Sequence, residues 1–431
     1  MQKEFWNYTN YFLSGFVLIV LGIIIMIGSL NLYISIVNLL VFAFLLLGIF
    51  DLCNLLKNPK ELSKEKIVRA IINIAFGIIM NVFKNIPLSI VPILFAFYLL
   101  FNSLVKGISA YFLWKNKEHK WKEISFFIFF LITGILFLFS PLGHLPTILS
   151  IIGLYCILIG LGEWEKFLLE KLSFKRRNRS IYISLPAFVD AFIPRRMLTK
   201  MNHYFNNIKE DVIYEIKKET TIPDLEIFIH VAPHGFNQLG HMDIYFEGKV
   251  ISYGNYDTAS YRMFDSIGDG VLFETTKEKY IPFCIQQSNK TLIGFGMKLT
   301  ENQKEKVRKE ISRIKKDAYI WETTALQEKK KKKKSKYEYI DLLYLETGAT
   351  TYKFKKGEFK TYFVLGRNCT LFADRIVGKS GTDILKMVGI ITPGTYLDYL
   401  ETEFSKKNSM VISRTIYNEY TKEKVFHNKE K

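Results

Sequence analysis

The chain has 431 residues, 49% of them hydrophobic, with 59 Lys and Arg against 41 Asp and Glu, a formal charge of +18. That length accommodates two or three domains. Four scattered cysteines, with no CxxC and no HExxH, exclude a disulfide framework and argue against zinc, and no cofactor-binding motif stands out.

The composition is divided: residues 11 to about 169 are strongly apolar and the remainder is polar and basic. The opening "MQKEFWNYTN" is weakly charged and precedes one long apolar run followed by another, which reads as the start of a membrane domain, not as a cleavable signal peptide. Six apolar segments follow, at roughly 11–30, 33–56, 67–83, 88–113, 124–141 and 146–169. A span needs about 20 residues, so the third and fifth are near the lower limit. The joins alternate in charge. "SLN" and "SPLGH" carry no lysine or arginine, and the join between the third and fourth segments has only Lys84. The other joins are basic: Lys57, Lys60, Lys64, Lys66 and Arg69; then Lys115, Lys117, Lys120 and Lys122; then "KLSFKRRNR". Excess Lys and Arg mark the cytoplasmic side, so the sequence predicts a multi-pass plasma (inner) membrane protein with both termini in the cytoplasm. Asp51, Glu163 and Glu165 sit near segment ends, and the near absence of intramembrane charge argues for an anchor or packing scaffold over a transport path.

The segments read as three repeats of a helical hairpin. "LGIIIMIGS", "FGIIMNVFKN" and "TGILFLFSP" align on Gly22, Gly77 and Gly134, and the same offset further on gives Gly48, Ser103 and Gly160. Small residues allow close helix approach in membranes. With the ends "LLLGIFDL" and "LIGLGEWE", this half resembles the HdeD-like family of small bacterial membrane proteins, linked in name to acid resistance.

Beyond a basic juxtamembrane stretch, "SIYISLPAFVDAFIPRRM" with Arg195 and Arg196 reads as an interfacial or domain-entry segment. Strands are predicted at 225–232, 241–246, 249–254, 270–275, 291–299 and 359–366 from β-branched and aromatic enrichment between turn residues. The pair 241–254 reads as a hairpin through Glu247-Gly248. A capping box at Thr300 and Gln303 opens a helix running to about Trp321. Then come six lysines, Lys329, Lys330, Lys331, Lys332, Lys333 and Lys334, expected as a solvated loop that is attracted to anionic lipid. A run without interleaved aromatics does not suit nucleic acid.

"GRNCTLFADRIVG", residues 366–378, stands apart. Asn368 is a good N-cap, Leu371, Phe372, Ile376 and Val377 have helical spacing, and Gly378 stands where a helix would end. Cys369 in the first turn would feel the positive end of the helix, which stabilises a thiolate. A thiolate needs a base. Three of the seven histidines, His230, His234 and His241, cluster in "HVAPHGFNQLGH". His241 opens a strand with Asp243 on the same face and the small Gly254 opposite. His230 and His234 are the other candidates for the base. Cys284, in "IPFCIQQ", reads as a buried strand residue.

"GHMDIYFEGKVISYG" followed by "RNCTLFADRIVG" resembles the circularly permuted branch of the papain-like fold, which includes the lecithin:retinol acyltransferase family and permuted relatives of NlpC-like peptidases. "GIITPGTYLDYL" is similar to their C-terminal segment. The resemblance covers roughly 225–402. It implies His241 as base and Cys369 as nucleophile. The family's third polar residue falls on Tyr253 here, where the family has a histidine, with Asn255 and Asp257 as nearby alternatives. The expected organisation is an all-α transmembrane bundle over 1–170, a basic linker over 171–222, an α+β permuted papain-like domain over 223–405 with a Lys-rich insertion at 327–337, and a polar basic tail over 406–431. Two functions fit: a membrane-tethered cysteine hydrolase or acyltransferase, or a stress-related scaffold with a non-catalytic binding domain.

Overall fold

The computed structural model describes residues 2–57, 64–171, 180–183, 193, 215–231, 240–288, 291–331, 337–385, 390–406 and 408–418. They divide into two compact units, residues 1–104 with 124–167, and residues 105–123 with 168–431.

The first unit is helical, built from α1 (Gln2–Lys57), α2 (Lys64–Val82), α3 (Asn85–Lys115), α4 (Trp121–Phe139) and α5 (Pro141–Lys171). Five stretches are long and apolar enough to cross a membrane: Thr9–Gly28, Leu30–Asn54, Asn85–Lys115, Trp121–Phe139 and Pro141–Leu168. The remaining expected span forms α2, whose first turns carry Lys64, Glu65, Lys66 and Arg69 and leave only a short apolar stretch.

The expected hairpin turns are not there. Helix α1 continues through Ser29–Asn31 without a break. Two residues separate α2 from α3, and the Phe83 amide still donates to Ile79 at 2.9 Å. Ser140 alone separates α4 from α5, and its amide donates to Leu136 at 3.1 Å. A reversal needs a short loop that abandons helical hydrogen bonding. "SLN" contains no residue that forces this, and Pro141 takes a first helical position, where its missing N–H costs nothing. Antiparallel pairing occurs instead between helices of different repeats. A Cβ on Gly22 would lie 2.5 Å from the Gly153 carbonyl, so only glycine permits this approach of α1 to α5. Gly48 crosses α2 at Ile74 in the same way. Ser103 bonds the Phe127 carbonyl at 3.0 Å where α3 meets α4. The repeat-aligned small residues therefore mark the crossings. Asp51 is neutralised by Arg69 in a two-bond pair at 2.8 and 2.9 Å.

The second unit is sheet-rich. Nine antiparallel strands run in the order β2 (Glu215–Lys217), β13 (Val411–Tyr417), β8 (Thr291–Met297), β3 (Leu225–Val231), β4 (His241–Phe246), β5 (Lys249–Gly254), β7 (Val271–Thr275), β10 (Thr350–Phe354), β9 (Ala318–Ile320). Two smaller ladders pair β6 (Ile267–Asp269) with β11 (Thr361–Phe363), and β1 (Ser180–Ile183) with β12 (Thr382–Leu385). The β4–β5 hairpin turns at Glu247-Gly248 as the sequence predicts, with φ of 48° and 83°, the two left-handed residues that a tight primed turn needs.

Strand alternation divides the core. Ile227, Ile229, Met242, Ile244 and Tyr253 face α7 (Glu301–Lys315), α10 (Cys369–Val377) and α11 (Pro393–Ser405). Phe228, Val250 and Phe273 face α6 (Lys277–Ser288) and α9 (Tyr339–Thr347). The capping box at Thr300 and Gln303 forms with both of its bonds, but α7 ends at Lys315 because the chain turns into edge strand β9.

Four expectations change. Cys284 is fully buried, but in α6, not in a strand. The stretch 359–366 contributes only Thr361–Phe363, outside the main sheet. Residues 411–417, assigned to a polar tail, form interior strand β13, whose Val411, Ile412 and Ile416 are buried. The lysine run is helical as far as Lys331 (α8, Thr324–Lys331), and Lys332, Lys333 and Lys334 lie outside the described residues, as do Arg195, Arg196 and His234.

The second unit also takes in residues 105–123. Helix α3 is 31 residues long, about ten more than a hydrocarbon core requires. Its last third is a stalk on which Val105 and Phe112 pack against Ile267 and Phe363. The Asn116 side chain donates to Thr361 Oγ1 at 3.2 Å, and the Arg367 guanidinium donates to the Ser109 carbonyl at 3.3 Å.

Candidate active site

The turn between β11 and α10 places the thiol. The Phe363 amide donates to the Arg367 carbonyl at 3.1 Å and the Gly366 amide to the Phe363 carbonyl at 3.0 Å, closing a tight loop. Asn368 then caps the helix: its Oδ1 accepts from the Leu371 amide at 2.9 Å, and its Nδ2 donates to the Val364 and Ile391 carbonyls at 2.9 and 3.1 Å. With every polar atom of Asn368 used, the first residue of the helix is fixed. That residue is Cys369, 3% exposed.

His241 is the first residue of β4, beside this helix start. Its Nε2 lies 2.9 Å from Asp243 Oδ1, 3.0 Å from Ser252 Oγ and 2.9 Å from Tyr256 Oη. A carboxylate only accepts, so Nε2 carries the proton, and Cys369 lies close enough for its charge to act on the imidazole. The room expected above the ring at Gly254 is filled by Tyr256: a Cβ on Gly254 would lie 2.6 Å from that ring.

Asp243 is the hub. His230, directly across from His241 in the β3–β4 register, brings its Nε2 to 2.6 Å from Asp243 Oδ2, and the Tyr280 hydroxyl donates to the same oxygen at 2.7 Å. Burial opposes charge on Asp243, but the two imidazoles outweigh it and hold the carboxyl well below the usual range. The same balance governs the pair next to it. Burial works against a charged His241, yet the Cys369 thiolate and Asp243 push its pKa up to about 10. Burial works against a thiolate at Cys369, yet the imidazolium, its hydrogen bond and the Met242 amide pull the thiol down. The site therefore favours a thiolate–imidazolium pair.

Tyr362 is the residue that sequence reasoning missed. It lies on β11 beside Cys369, and burial first, then the nearby thiolate, raises its pKa well above normal. It stays protonated and able to donate. Alternation along "KTYFV" between two turns is the only signal that could have found it.

Tyr253 is not brought to His241. It is fully buried on the opposite face of the sheet, stacked on Phe372 at 5.2 Å, with its hydroxyl donating to the Phe359 carbonyl at 3.0 Å. Asn255 donates to the Asp265 carbonyl at 2.9 Å, and Asp257 pairs with Lys353 at 2.6 Å. His230 reaches Asp243, not the thiol. Among the described residues no cluster of His, Cys, Asp and Glu could hold a metal ion.

Comparison with known families concerns the helical unit alone. Residues 13–82 and 68–139 each match a family described as a short repeat of unknown function (DUF308). The two matches begin at the same interval that separates Gly22 from Gly77, so the family repeat and the glycine repeat coincide. With five stretches among the described residues long and apolar enough to cross a membrane, these matches point to a membrane protein whose helical region is similar to that repeat. Searches of curated proteins and of solved structures found no match.

Proposed function

We propose that the sheet domain is a cysteine hydrolase or acyltransferase of the permuted papain-like type, held at the cytoplasmic face of the membrane by the repeat domain. One observation carries this reading: Cys369 stands at a capped helix start beside His241, whose imidazole is oriented by the buried carboxylate of Asp243 at 2.9 Å.

In the reaction, the Cys369 thiolate attacks the carbonyl carbon of an ester, amide or thioester. The carbonyl oxygen becomes an oxyanion, stabilised by amides of the first turn of α10 and by the Tyr362 hydroxyl. Collapse breaks the bond to the leaving group, which takes the proton from His241. An acyl-thioester remains. Water, or an acceptor hydroxyl or amine, then gives its proton to His241 and attacks the thioester, releasing the acyl group and restoring the starting pair. Asp243 holds the ring and its tautomer throughout. Tethering favours a membrane-associated substrate, a lipid or an acylated protein.

The test is iodoacetamide labelling in membranes across pH 5 to 9. Wild-type Cys369 labels selectively, with an apparent pKa below that of an ordinary thiol, about 8.5. Cys369→Ser removes the label, and His241→Ala returns the apparent pKa toward the ordinary value. Labelling at an ordinary rate, indifferent to His241, would sink the catalytic assignment and leave the scaffold reading.

A further inference from the structure

The turn between Arg262 and β6 holds two largely exposed apolar side chains: Phe264 is 98% exposed and Met263 60%. Three successive residues, Met263, Phe264 and Asp265, have φ of 48°, 55° and 61°, a left-handed run that L-residues with side chains adopt at a cost. The turn is nevertheless firmly held. Arg262 and Ile267 exchange backbone hydrogen bonds of 2.9 and 3.2 Å, the Ser266 hydroxyl donates to the Met263 carbonyl at 2.6 Å, and Asn255 donates to the Asp265 carbonyl at 2.9 Å. A fixed, strained turn whose tip is methionine and phenylalanine is a presented surface.

The stalk of α3 says where that surface points. Asn116 marks the far end of the stalk and bonds Thr361. Thr361 pairs with Asp269, and Phe363 with Ile267, so the β6–β11 ladder runs back along the stalk toward Val105. The ladder continues one step further, the Val364 amide donating to the Ser266 carbonyl at 3.0 Å, and the next residues are the tip. From Asn116 to Val105 the helix rises about 16 Å at ~1.5 Å per residue. From Asp269 to Ser266 the strand covers about 10 Å at ~3.3 Å per residue, and the closed turn 262–267 carries the tip beyond it toward Val105. About 20 residues cross a hydrocarbon core, and the uncharged stretch of that length between Lys84 and Lys106 ends at Val105.

From this we infer that Met263 and Phe264 insert into the lipid interface beside the emergence of α3, making the turn a second membrane contact of the sheet domain. The occupant is the bilayer, because the ladder carrying the tip is continuous with the stalk that leaves the membrane. An amphipathic edge with exposed Arg262 behind the two apolar residues suits the boundary of headgroups and acyl chains. The inference stands on geometry independent of Cys369.

Photo-crosslinking of the full chain tests it. Phe264→p-benzoylphenylalanine is made in protein reconstituted into phosphatidylethanolamine–phosphatidylglycerol vesicles, with Phe129 on α4 as the position in a span and Ile222, 83% exposed at the opposite strand end, as the position away from it. A lipid adduct at 264 at a yield within about tenfold of position 129, and none at 222, is expected. Lipid adducts at 129 with none at 264, or a protein–protein adduct at 264, overturns the inference. Should the bulky substitution disturb folding, Phe264→Trp gives a second reading: added emission quenched by brominated lipid supports the inference, and added emission indifferent to it overturns it. Neither readout uses the thiol, so failure here leaves the catalytic assignment in place, and failure of thiol labelling leaves this surface in place.

Discussion

At the scale of single residues, the candidate site is organised around Asp243. It accepts from His241 and Tyr280, His230 Nε2 lies 2.6 Å from it, and it has 1% exposure, so its charge is balanced by protein groups. Asp243→Asn keeps the shape and removes the charge. The expected result is a loss of the depressed thiol pKa, read as at least a tenfold drop in Cys369 labelling at pH 6, with little change at pH 9, where any thiol ionises. The pH dependence of stability follows from the same shifts. His241 has a folded pKa of about 10, above its ordinary 6.5, so its protonated form stabilises the fold fully below about 6.5, and that contribution is lost as pH rises toward 10. Asp243 has a depressed pKa, so its contribution is present above the ordinary carboxyl range and is lost only when pH falls through the lower folded value. Thermal melting across pH 3 to 10 should show a plateau that declines at both ends, with the alkaline decline missing in His241→Ala. Tyr362→Phe isolates the oxyanion donor: turnover of a p-nitrophenyl acyl ester should fall by about 10²–10³, the usual loss for one such donor, with thiol labelling still selective.

At the scale of elements, two local signals predict their structures because both are short-range. Asn368 as N-cap and Glu247-Gly248 as a turn are satisfied within a few residues of themselves. Asn368→Ala should cost about 1 kcal/mol of stability and, because it frees the first turn of α10, slow Cys369 labelling more than an equally destabilising change in α7. The repeat is legible for a related reason: Gly22, Gly48 and their counterparts recur at fixed offsets because each lies at a helix crossing. The hairpin turns were not legible in the same way. Counting apolar segments finds lengths that can span, but whether a helix bends at "SLN" depends on which neighbour offers the better groove, and α1 finds α5 with its first half and α2 with its second. Gly48→Val should lower the melting temperature of the helical unit, since the added atoms meet Ile74 at 2.4 Å. A compensating Ile74→Ala should recover part of the loss.

At the scale of the molecule, the turn that carries Cys369 is mounted on the stalk of α3. A Cβ on Gly366 would lie 2.7 Å from Ser109 Oγ and 2.9 Å from the Phe363 ring. Gly366→Val should therefore displace the turn and slow Cys369 labelling while the protein still inserts in membranes, as measured by its alkali-resistant membrane fraction. By itself the sequence determined what depends on composition and short-range order: an apolar, repeated N-terminal half with alternating basic joins, an Asn-Cys helix start, and a His-led hairpin. Only the tertiary structure decided which side chain orients His241, because strand pairing set His230 across from His241 with Asp243 in reach of both, and sent Tyr253, the family-based expectation for the third residue, to the other face. It also decided that the end of a spanning helix belongs to the sheet domain, since the surplus residues of α3 bury their apolar side in a cluster with Ile267 and Phe363, partners more than 150 positions away. Residue spacing along a chain reports what neighbours can do together, and contacts at that separation are set by how the sheet and helices pack.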